Sequence, residues 1–329
     1  MSRSLRGIAI FLAVAFGATA APLVAQQPEA VTPPAPAMTP SAAAPSRDID
    51  IMHHLGNSRT IEYPCFKAGL TCEVELPRFA PVVVGPFAID FSPTKHLVWM
   101  VLATTLALLM LLGVSKSVAR AQAAGRPPKG FAGAIEAVTL WVRQEVILSN
   151  VGQHGEGFVP YLLALFFFIL FCNLVGLLPW GSPATGNIAV TGALALLALV
   201  VIEISGMRSL GLKGYLGTIF FVPHGLPGGF GGAVLKVALV IIMTPIEIIG
   251  KLAKPFALAV RLFANMTAGH VVILALIGLG FFFQSYLVGV GASGLATGIM
   301  LLELFVAFLH AFIFTLLTAV FIGLVRTSH

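Results

Sequence analysis

Residues 261–270 read RLFANMTAGH, and they lie inside a segment, 233–283, that is otherwise dominated by apolar side chains and glycine. The polar side chains of Arg261, Asn265 and His270 are unusual in such a context. A charge near the centre of a lipid bilayer costs at least about 2.5–3.5 kcal/mol, so such residues normally face a bundle interior or a water-filled path. These three positions are therefore candidates for function.

The composition of the whole chain predicts a membrane protein. Of its 329 residues 58% are hydrophobic and 10% are charged, and the mean hydropathy is +0.97. Soluble domains carry about 25% charged residues, so this chain belongs in a lipid bilayer. The net charge of +6 comes from basic residues that fall between apolar runs. They do not form a basic patch with interleaved aromatic residues, which argues against a nucleic-acid partner.

The apolar runs predict an all-α fold, a polytopic transmembrane helix bundle with about five spans. A straight span needs about 20 residues, and the fourth run is too long for one. A weaker amphipathic pattern at 131–149 predicts a helix on the cytoplasmic membrane surface, with a packed loop helix as the alternative. The five predicted spans are 96–115, 158–179, 187–206, 233–283 and 293–325.

The connections between the spans predict the orientation of the chain. Basic residues alternate from one connection to the next, because 180–186 and 284–292 contain no Lys or Arg. The positive-inside rule then places the N-terminus outside the membrane and the C-terminus in the cytoplasm. The basic residues behind this assignment are Lys116, Arg120, Arg126, Lys129, Arg143, Arg208, Lys213 and Arg326.

The first 95 residues predict an exported segment. Residues 1–25 are typical of a secretory signal peptide, with an uncleaved first helix as the alternative. Residues 26–95 form a Pro/Ala-rich linker and a small extracytoplasmic segment, followed by a membrane domain at 96–329. Cys65 and Cys72 lie in the exported part, where an oxidising compartment permits a disulfide between them, although two free thiols remain the alternative.

Acidic residues are rare in the membrane domain. After Glu156 the chain contains only Glu203, Glu247 and Glu303, each within an apolar stretch. Glu203 has a simple structural explanation as the partner of Arg208, and Glu247 has one as the partner of Lys251, four residues later.

Helical spacing places several polar side chains on shared faces. Glu247, Lys254 and Arg261 are seven residues apart and share a face, which Asn265 joins. His270 is nine residues after Arg261, about half a turn out of phase, so it faces a different neighbour. On the last span Glu303 and His310 are also seven residues apart. For His310 a helix-packing hydrogen bond is the structural alternative.

These residues carry a family resemblance over about 96–326. The stretch KPFALAVRLFANMTAGH at 254–270 resembles the signature of subunit a, the membrane-embedded stator subunit of F-type ATP synthases. TPIEIIGKLAKP at 244–255, ELFVAFLHAFIFTLLTAVFIG at 303–323 and FCNLVGLLPW at 171–180 are similar to the same family. The fold that the resemblance implies has two long tilted helices that face a rotor ring.

The resemblance implies a role for each polar residue of the last two spans. Arg261 is expected to be the stator charge that faces the ring of c subunits, with Asn265 one turn further along. His270 and Glu303 are expected to line an inlet half-channel from the outside, and Glu247 to lie toward the cytoplasmic outlet. His310 stands where the family usually has glutamine, and it is also assigned to the proton path.

The implied function is proton conduction in the stator of a rotary ATP synthase of the bacterial inner membrane. The expected partners are the c-subunit ring, the b subunits of the peripheral stalk and the rest of the synthase. The chain is not expected to be an enzyme by itself, because its sequence contains no G-x-x-x-x-G-K-[ST] phosphate loop. No Cys/His metal spacing occurs either, so neither a metal nor a cofactor is predicted.

Other functions fit the sequence less well. A secondary ion transporter normally shows internal repeats with broken helices at matching positions, and Pro245 and Pro255 interrupt only one segment here. A structural assembly subunit has no need for Arg261, His270 and Glu303 in apolar spans. An intramembrane protease requires a Ser/His or paired Asp arrangement, which the spans do not offer.

Overall fold

The computed structural model describes residues 56, 58–64, 71–79, 82–84, 87–89, 92–152, 155–178, 181–220 and 230–327. Before the membrane domain, strand β1 (Thr60–Pro64) pairs antiparallel with β2 (Thr71–Glu75), and β3 (Val82–Val84) pairs with β4 (Phe87–Ile89). The predicted signal peptide and linker at 1–50 and Cys65 lie outside the described residues. The predicted disulfide between Cys65 and Cys72 therefore stays a prediction.

The rest of the described chain is helical, which confirms the predicted all-α class. Five helices are long and apolar enough to cross a membrane, the number that the hydropathy pattern predicts. The helices are α1 (Lys95–Ala123), α2 (Gly130–Trp141), α3 (Val159–Gly176), α4 (Ile188–Ile219), α5 (Phe230–Phe283) and α6 (Tyr286–Thr327), and α2 is continued by a π-helix (Val142–Leu148) and one last turn (Ser149–Val151).

The last two helices are too long to cross a bilayer upright. Helix α5 has 54 residues and α6 has 42. At 1.5 Å per residue these lengths are about 80 Å and about 63 Å, whereas the hydrocarbon core is about 30 Å thick. Both helices must therefore tilt strongly or continue along the membrane surface. The two prolines inside α5, Pro245 and Pro255, do not end it.

Helix α3 forms the centre of the bundle. Its aromatic residues Phe166, Phe167 and Phe168 are fully buried, and Phe166 meets Phe308 of α6 edge to face, with the ring centroids 5.7 Å apart. Helix α3 packs against α1 and α6, and α6 also packs against α4 and α5. By contrast, much of the apolar surface of α5 remains exposed in the isolated chain.

The amphipathic segment predicted at 131–149 is divided between two environments. No residue of α2 itself is buried, as expected of a helix at a surface. In the π-helical continuation Val142, Val146 and Ile147 are buried, and Trp141 stacks on Phe312 of α6 with the ring centroids 5.5 Å apart. The second half of the segment is therefore part of the bundle core. For this half, the structure agrees with the alternative of a packed helix rather than with a helix on the membrane surface.

A close contact between backbones fixes the end of α6. A Cβ atom on Gly323 would overlap the carbonyl oxygen of Asn150 and lie 3.5 Å from Cα of Val151. We expect Gly323→Ala to lower the free energy of unfolding by about 1–3 kcal/mol, because backbone atoms cannot move aside as a flexible side chain can. Thermal denaturation of the solubilised, assembled complex measures the effect.

The matched control is Gly113→Ala in α1, where nothing lies within 4 Å of the added Cβ. This change is expected to be neutral or slightly stabilising, because alanine favours helix more than glycine does. Equal denaturation temperatures for the two variants would show that the contact at Gly323 does not constrain the fold.

Candidate functional site

A buried carboxyl group lies at the crossing of α5 and α6. Glu303 is 6% exposed, and its side chain occupies the space beside Gly269 that any larger residue would fill. A Cβ atom on Gly269 would overlap Oε1 of Glu303 and lie 2.5 Å from its Cδ. The next residue, His270, is 5% exposed. The structure thus brings the Glu303 carboxyl group to the residue that precedes His270, as the predicted pairing of these two spans requires.

The Glu303 carboxyl group is not held by an ordinary structural pair. Its Oε1 atom is buried and has no hydrogen-bond partner among the residues that the structure describes. Burial of a polar atom without such a partner is costly, and ionisable groups of this kind inside membrane spans are usually functional. Glu303 is therefore a strong candidate for a group that exchanges protons.

A second polar contact joins the same two helices. Nδ2 of Asn265 lies 2.9 Å from Nε2 of His310. When the Asn265 amide donates this bond, Nε2 of His310 is the acceptor and the ring proton is on Nδ1. His310 is buried while Asn265 is exposed, so the pair connects the interior of the chain with its surface. Asn265 lies about one turn before Gly269 on α5, and His310 lies about two turns after Glu303 on α6, so the two helices run antiparallel here.

Arg261 lies one turn before Asn265 and is exposed. Its guanidinium group makes no hydrogen bond or salt bridge to any described residue of the chain. On the same face of α5 the neighbouring residues Ala257 and Ala264 are also exposed. A permanent charge on an apolar membrane-embedded surface indicates a partner from outside the chain, as the absence of a nearby acid in the sequence predicts.

A cleft lined by four charged side chains and several apolar ones lies on the other side of Arg261 along α5. It has a volume of about 190 Å³ and contains Glu247, which is exposed. Glu247 and Arg261 are fourteen residues apart, about 21 Å along a helix, and His270 is about 13 Å beyond Arg261 in the other direction. The cleft is lined by Leu199, Ile202, Glu203, Thr218, Glu247, Lys251, Lys254, Pro255, Phe321, Leu324 and Val325.

Two pairings that the sequence offers as structural explanations near this cleft are wrong. Glu203 was expected to pair with Arg208, and Lys251 with Glu247, but Lys251 Nζ lies 4.0 Å from Oε2 of Glu203 instead. The reason is tertiary packing, because α4 and α5 lie side by side and bring these two residues together across the helix boundary.

Three buried polar contacts were not predicted at all. Nδ2 of Asn173 donates to the carbonyl oxygen of Ala307, one turn after Glu303, and Thr185 Oγ1 donates to Oδ1 of Asn173. The side chains of His96 and Ser182 meet at 3.1 Å. Asn173 is an isolated amide in the apolar stretch FCNLVG, and this feature of the sequence could have indicated a buried hydrogen bond. No neighbouring residue indicates the contact of His96.

No group of three His, Cys, Asp or Glu side chains that could hold a metal ion occurs among the described residues. The polar groups found here are hydrogen-bonding and titratable side chains arranged along two helices. Such an arrangement suits the passage of protons or water better than the binding of a cofactor.

Comparison with known proteins decides the family. Residues 97–323 match the family model described as ATP synthase A chain. The chain belongs to this family. It is 42% identical to ATP synthase subunit a 2 of Chlorobium luteolum over 321 residues, which cover 95% of this chain and 86% of that protein.

Two further relatives support the assignment to the ATP synthase A chain family. The chain is 44% identical to ATP synthase subunit a 2 of Chlorobaculum tepidum over 280 residues, 85% of this chain and 73% of that protein. It is 41% identical to ATP synthase subunit a of Anaeromyxobacter dehalogenans over 283 residues, 85% of this chain and 70% of that protein. The family predicted from the motifs is confirmed, and the chain is a multi-pass membrane component of proton transport in ATP synthesis.

The contact between Gly269 and Glu303 gives a direct test of the buried carboxyl group. In Gly269→Ala the added methyl group must displace the Glu303 carboxyl group, so we expect proton pumping to fall by about tenfold while the complex still assembles. ATP-driven proton pumping in membrane vesicles measures the effect.

Gly192→Ala in α4 is the matched control, because its Cβ would meet nothing within 4 Å. If Gly269→Ala pumps as fast as Gly192→Ala in equally assembled complexes, the exact position of Glu303 has no influence on proton transport.

Proposed function

We propose that this chain is the stator subunit of a rotary F-type ATP synthase, with two half-channels that carry protons to and from a ring of c subunits. The observation that carries the proposal is Arg261, an exposed guanidinium group on an apolar helix surface, without an ionic partner among the described residues and between two polar regions of α5. An acidic side chain on each passing ring subunit is a partner of matching chemistry.

Arginine suits the role of a fixed stator charge. Its guanidinium group does not give up its proton at biological pH, so it is a poor proton carrier. Facing the ring, it favours the ionised form of a passing carboxyl group, which must then release its proton before it reaches Arg261. The same charge repels protons and keeps the two half-channels from joining into a leak.

The polar groups on the two sides of Arg261 provide the two half-channels. On the inlet side we assign His270, Glu303, His310 and Asn265, which α5 and α6 bring together at their crossing. On the outlet side we assign Glu247 and the cleft of about 190 Å³ around it. Their separation along α5 supports two offset paths rather than one continuous pore.

The work for ATP formation comes from proton transfer across the membrane. Each elementary charge that crosses the membrane contributes about 2.3 kcal/mol per 100 mV of membrane potential. Several proton transfers are therefore needed for each ATP. We propose that this chain assembles with the c ring, the b subunits of the peripheral stalk and the rest of the synthase. ATP then forms elsewhere in that complex. The sequence has no phosphate-loop motif that would let the chain form ATP itself.

The domain arrangement and orientation belong to the same proposal. A signal peptide at 1–25 and an exported segment at 26–95 precede the membrane domain at 96–329 in the inner membrane. The N-terminus then lies outside and the C-terminus in the cytoplasm, as the basic connections predict. In this orientation the α5–α6 crossing at Glu303 opens outward, and the Glu247 cleft opens to the cytoplasm.

Arg261→Ala tests the proposal. We expect ATP-driven proton pumping to vanish in membrane vesicles. The ring carboxyl groups would lose the positive charge that favours release of their protons. The complex should still assemble, since the guanidinium group has no ionic partner within the described chain. Immunoblotting of the purified complex for the other subunits checks this.

Arg208→Ala, which removes an exposed arginine of α4, is the control and should pump normally. Normal pumping by Arg261→Ala would refute the rotary-stator role and favour a transporter or an assembly subunit.

His310 gives a second, independent prediction. Glutamine can also accept the hydrogen bond from Asn265, so His310→Gln should keep at least half of the pumping rate. His310→Leu cannot accept it, and we expect a loss of about tenfold or more, in the range of lost proton-transfer groups. The same vesicle assay compares them. Equal rates for the two variants would show that the Asn265–His310 contact is only structural.

A further inference from the structure

We propose that Glu203 is a positioning residue of the outlet path, which holds Lys251 away from Glu247 and keeps the Glu247 carboxyl group free to exchange protons. The inference rests on the proposed function, because it takes Glu247 as a proton-exchanging group. Glu203 acts through Lys251 and does not itself need to carry a proton.

The spacing of Lys251 and Glu247 is one at which side chains on a helix often form an ion pair. The two residues are four positions apart on α5, with the acid N-terminal to the base, the favourable order for a helical ion pair. In the structure, however, Lys251 points toward α4. Its Nζ lies 4.0 Å from Oε2 of Glu203, donates a hydrogen bond of 3.4 Å to Oη of Tyr215, and lies 4.6 Å from the centre of the Tyr215 ring.

Glu247 is left without an ionic partner as a result. Its side chain is exposed toward the cleft, and it makes no salt bridge or hydrogen bond to any described residue. The other lysine of the cleft, Lys254, is also engaged elsewhere, with Nζ 4.9 Å from the centre of the Phe321 ring of α6. Both lysines therefore contact the neighbouring helices, and the Glu247 carboxyl group is exposed at the cleft without an ionic partner among the described residues.

The fold of α4 builds the alternative partner for Lys251. At Gly211 the backbone leaves the helical conformation, with φ 70° and ψ 164°, which a residue with a side chain rarely adopts. The chain folds back after this kink, so that Tyr215 packs beside Gly206. A Cβ atom on Gly206 would overlap Cγ1 of Val325 on α6 and lie 3.1 Å from Cδ2 of Tyr215. The fold-back brings Tyr215 and Glu203 to the same lysine from the two sides of the kink.

The position of Lys251 matters because of its charge. An ammonium group at ion-pair distance stabilises the ionised form of a carboxyl group and slows the return of its proton. If Glu203 lost its charge, Lys251 would be released from α4 and would find Glu247 at the favourable spacing. The cleft, at about 190 Å³, has room for several water molecules, with which a free Glu247 would exchange protons.

Three variants of the assembled synthase test the inference in the vesicle pumping assay. Glu203→Gln keeps the shape of the side chain and removes its charge, and we expect pumping to fall by about tenfold. Glu203→Asp keeps the charge and should stay within about twofold of the unmodified protein. The double variant Glu203→Gln with Lys251→Met also removes the released lysine, and it should recover to within about twofold.

Recovery in the double variant separates positioning from a structural role. If the ion pair only tied α4 to α5, removal of both partners would be at least as harmful as removal of one. Lys236→Met is the matched control for loss of a lysine, because Lys236 is exposed on α5 and does not line the cleft. It should pump normally.

The inference is overturned if Glu203→Gln pumps normally, or if the double variant assembles and stays as slow as Glu203→Gln. If Glu203→Gln does not assemble, the double variant decides alone: pumping within about twofold supports the inference, and slow pumping or failed assembly overturns it. Arg261→Ala, measured in parallel, keeps the two hypotheses apart. Normal pumping by Arg261→Ala refutes the proposed function, whereas loss of pumping there with normal Glu203→Gln refutes only this inference.

Discussion

A permanent positive charge on an apolar, membrane-embedded surface is the constraint on which the rest of this structure depends. Arg261 cannot become neutral, and no acidic residue among the described parts of the chain pairs with it. Much of the apolar surface of α5 remains exposed in the isolated chain. Lipid can cover apolar side chains, but a charge among them is costly unless a group of opposite charge lies nearby. The exposed face of α5 and its lone arginine are thus two aspects of one requirement.

Glycine determines where the other polar side chains lie. At Gly269 the missing side chain makes the space that the Glu303 carboxyl group occupies. At Gly211 the unusual backbone conformation folds α4 back, and at Gly206 the missing side chain receives Tyr215. On each side of Arg261 a polar site therefore depends on glycines that let helices approach closely or bend.

The sequence predicts the class of fold and the number of spans better than it predicts the contacts between helices. Apolar runs of sufficient length fix the five spans, because in lipid a helix must satisfy its own backbone. Seven-residue spacing predicts that Glu303 and His310 share a face of α6, and in the structure both contact α5. These features depend on local periodicity, which a sequence shows directly.

Contacts between helices could not be read in the same way. Lys251 pairs with Glu203, 48 residues earlier, rather than with Glu247, because the kink at Gly211 and the packing of α4 on α5 decide the partner. The hydrogen bonds of Asn173 to Ala307 and Thr185 likewise join segments that are distant in sequence. The π-helix after α2 follows from its docking against the core, not from any residue within it.

The length of α5 connects these separate observations. A helix of 54 residues is far longer than a membrane crossing requires, yet its length lets one rigid element carry Glu247, Arg261 and His270 in fixed order. A shorter, upright helix would put the two polar regions on one line across the bilayer, where water could join them. A tilted helix separates them sideways as well as in depth, with Arg261 between them. In the proposed function, protons pass between the two regions on a carrier that moves past Arg261, and a rotating ring of carboxyl groups is a carrier of this kind.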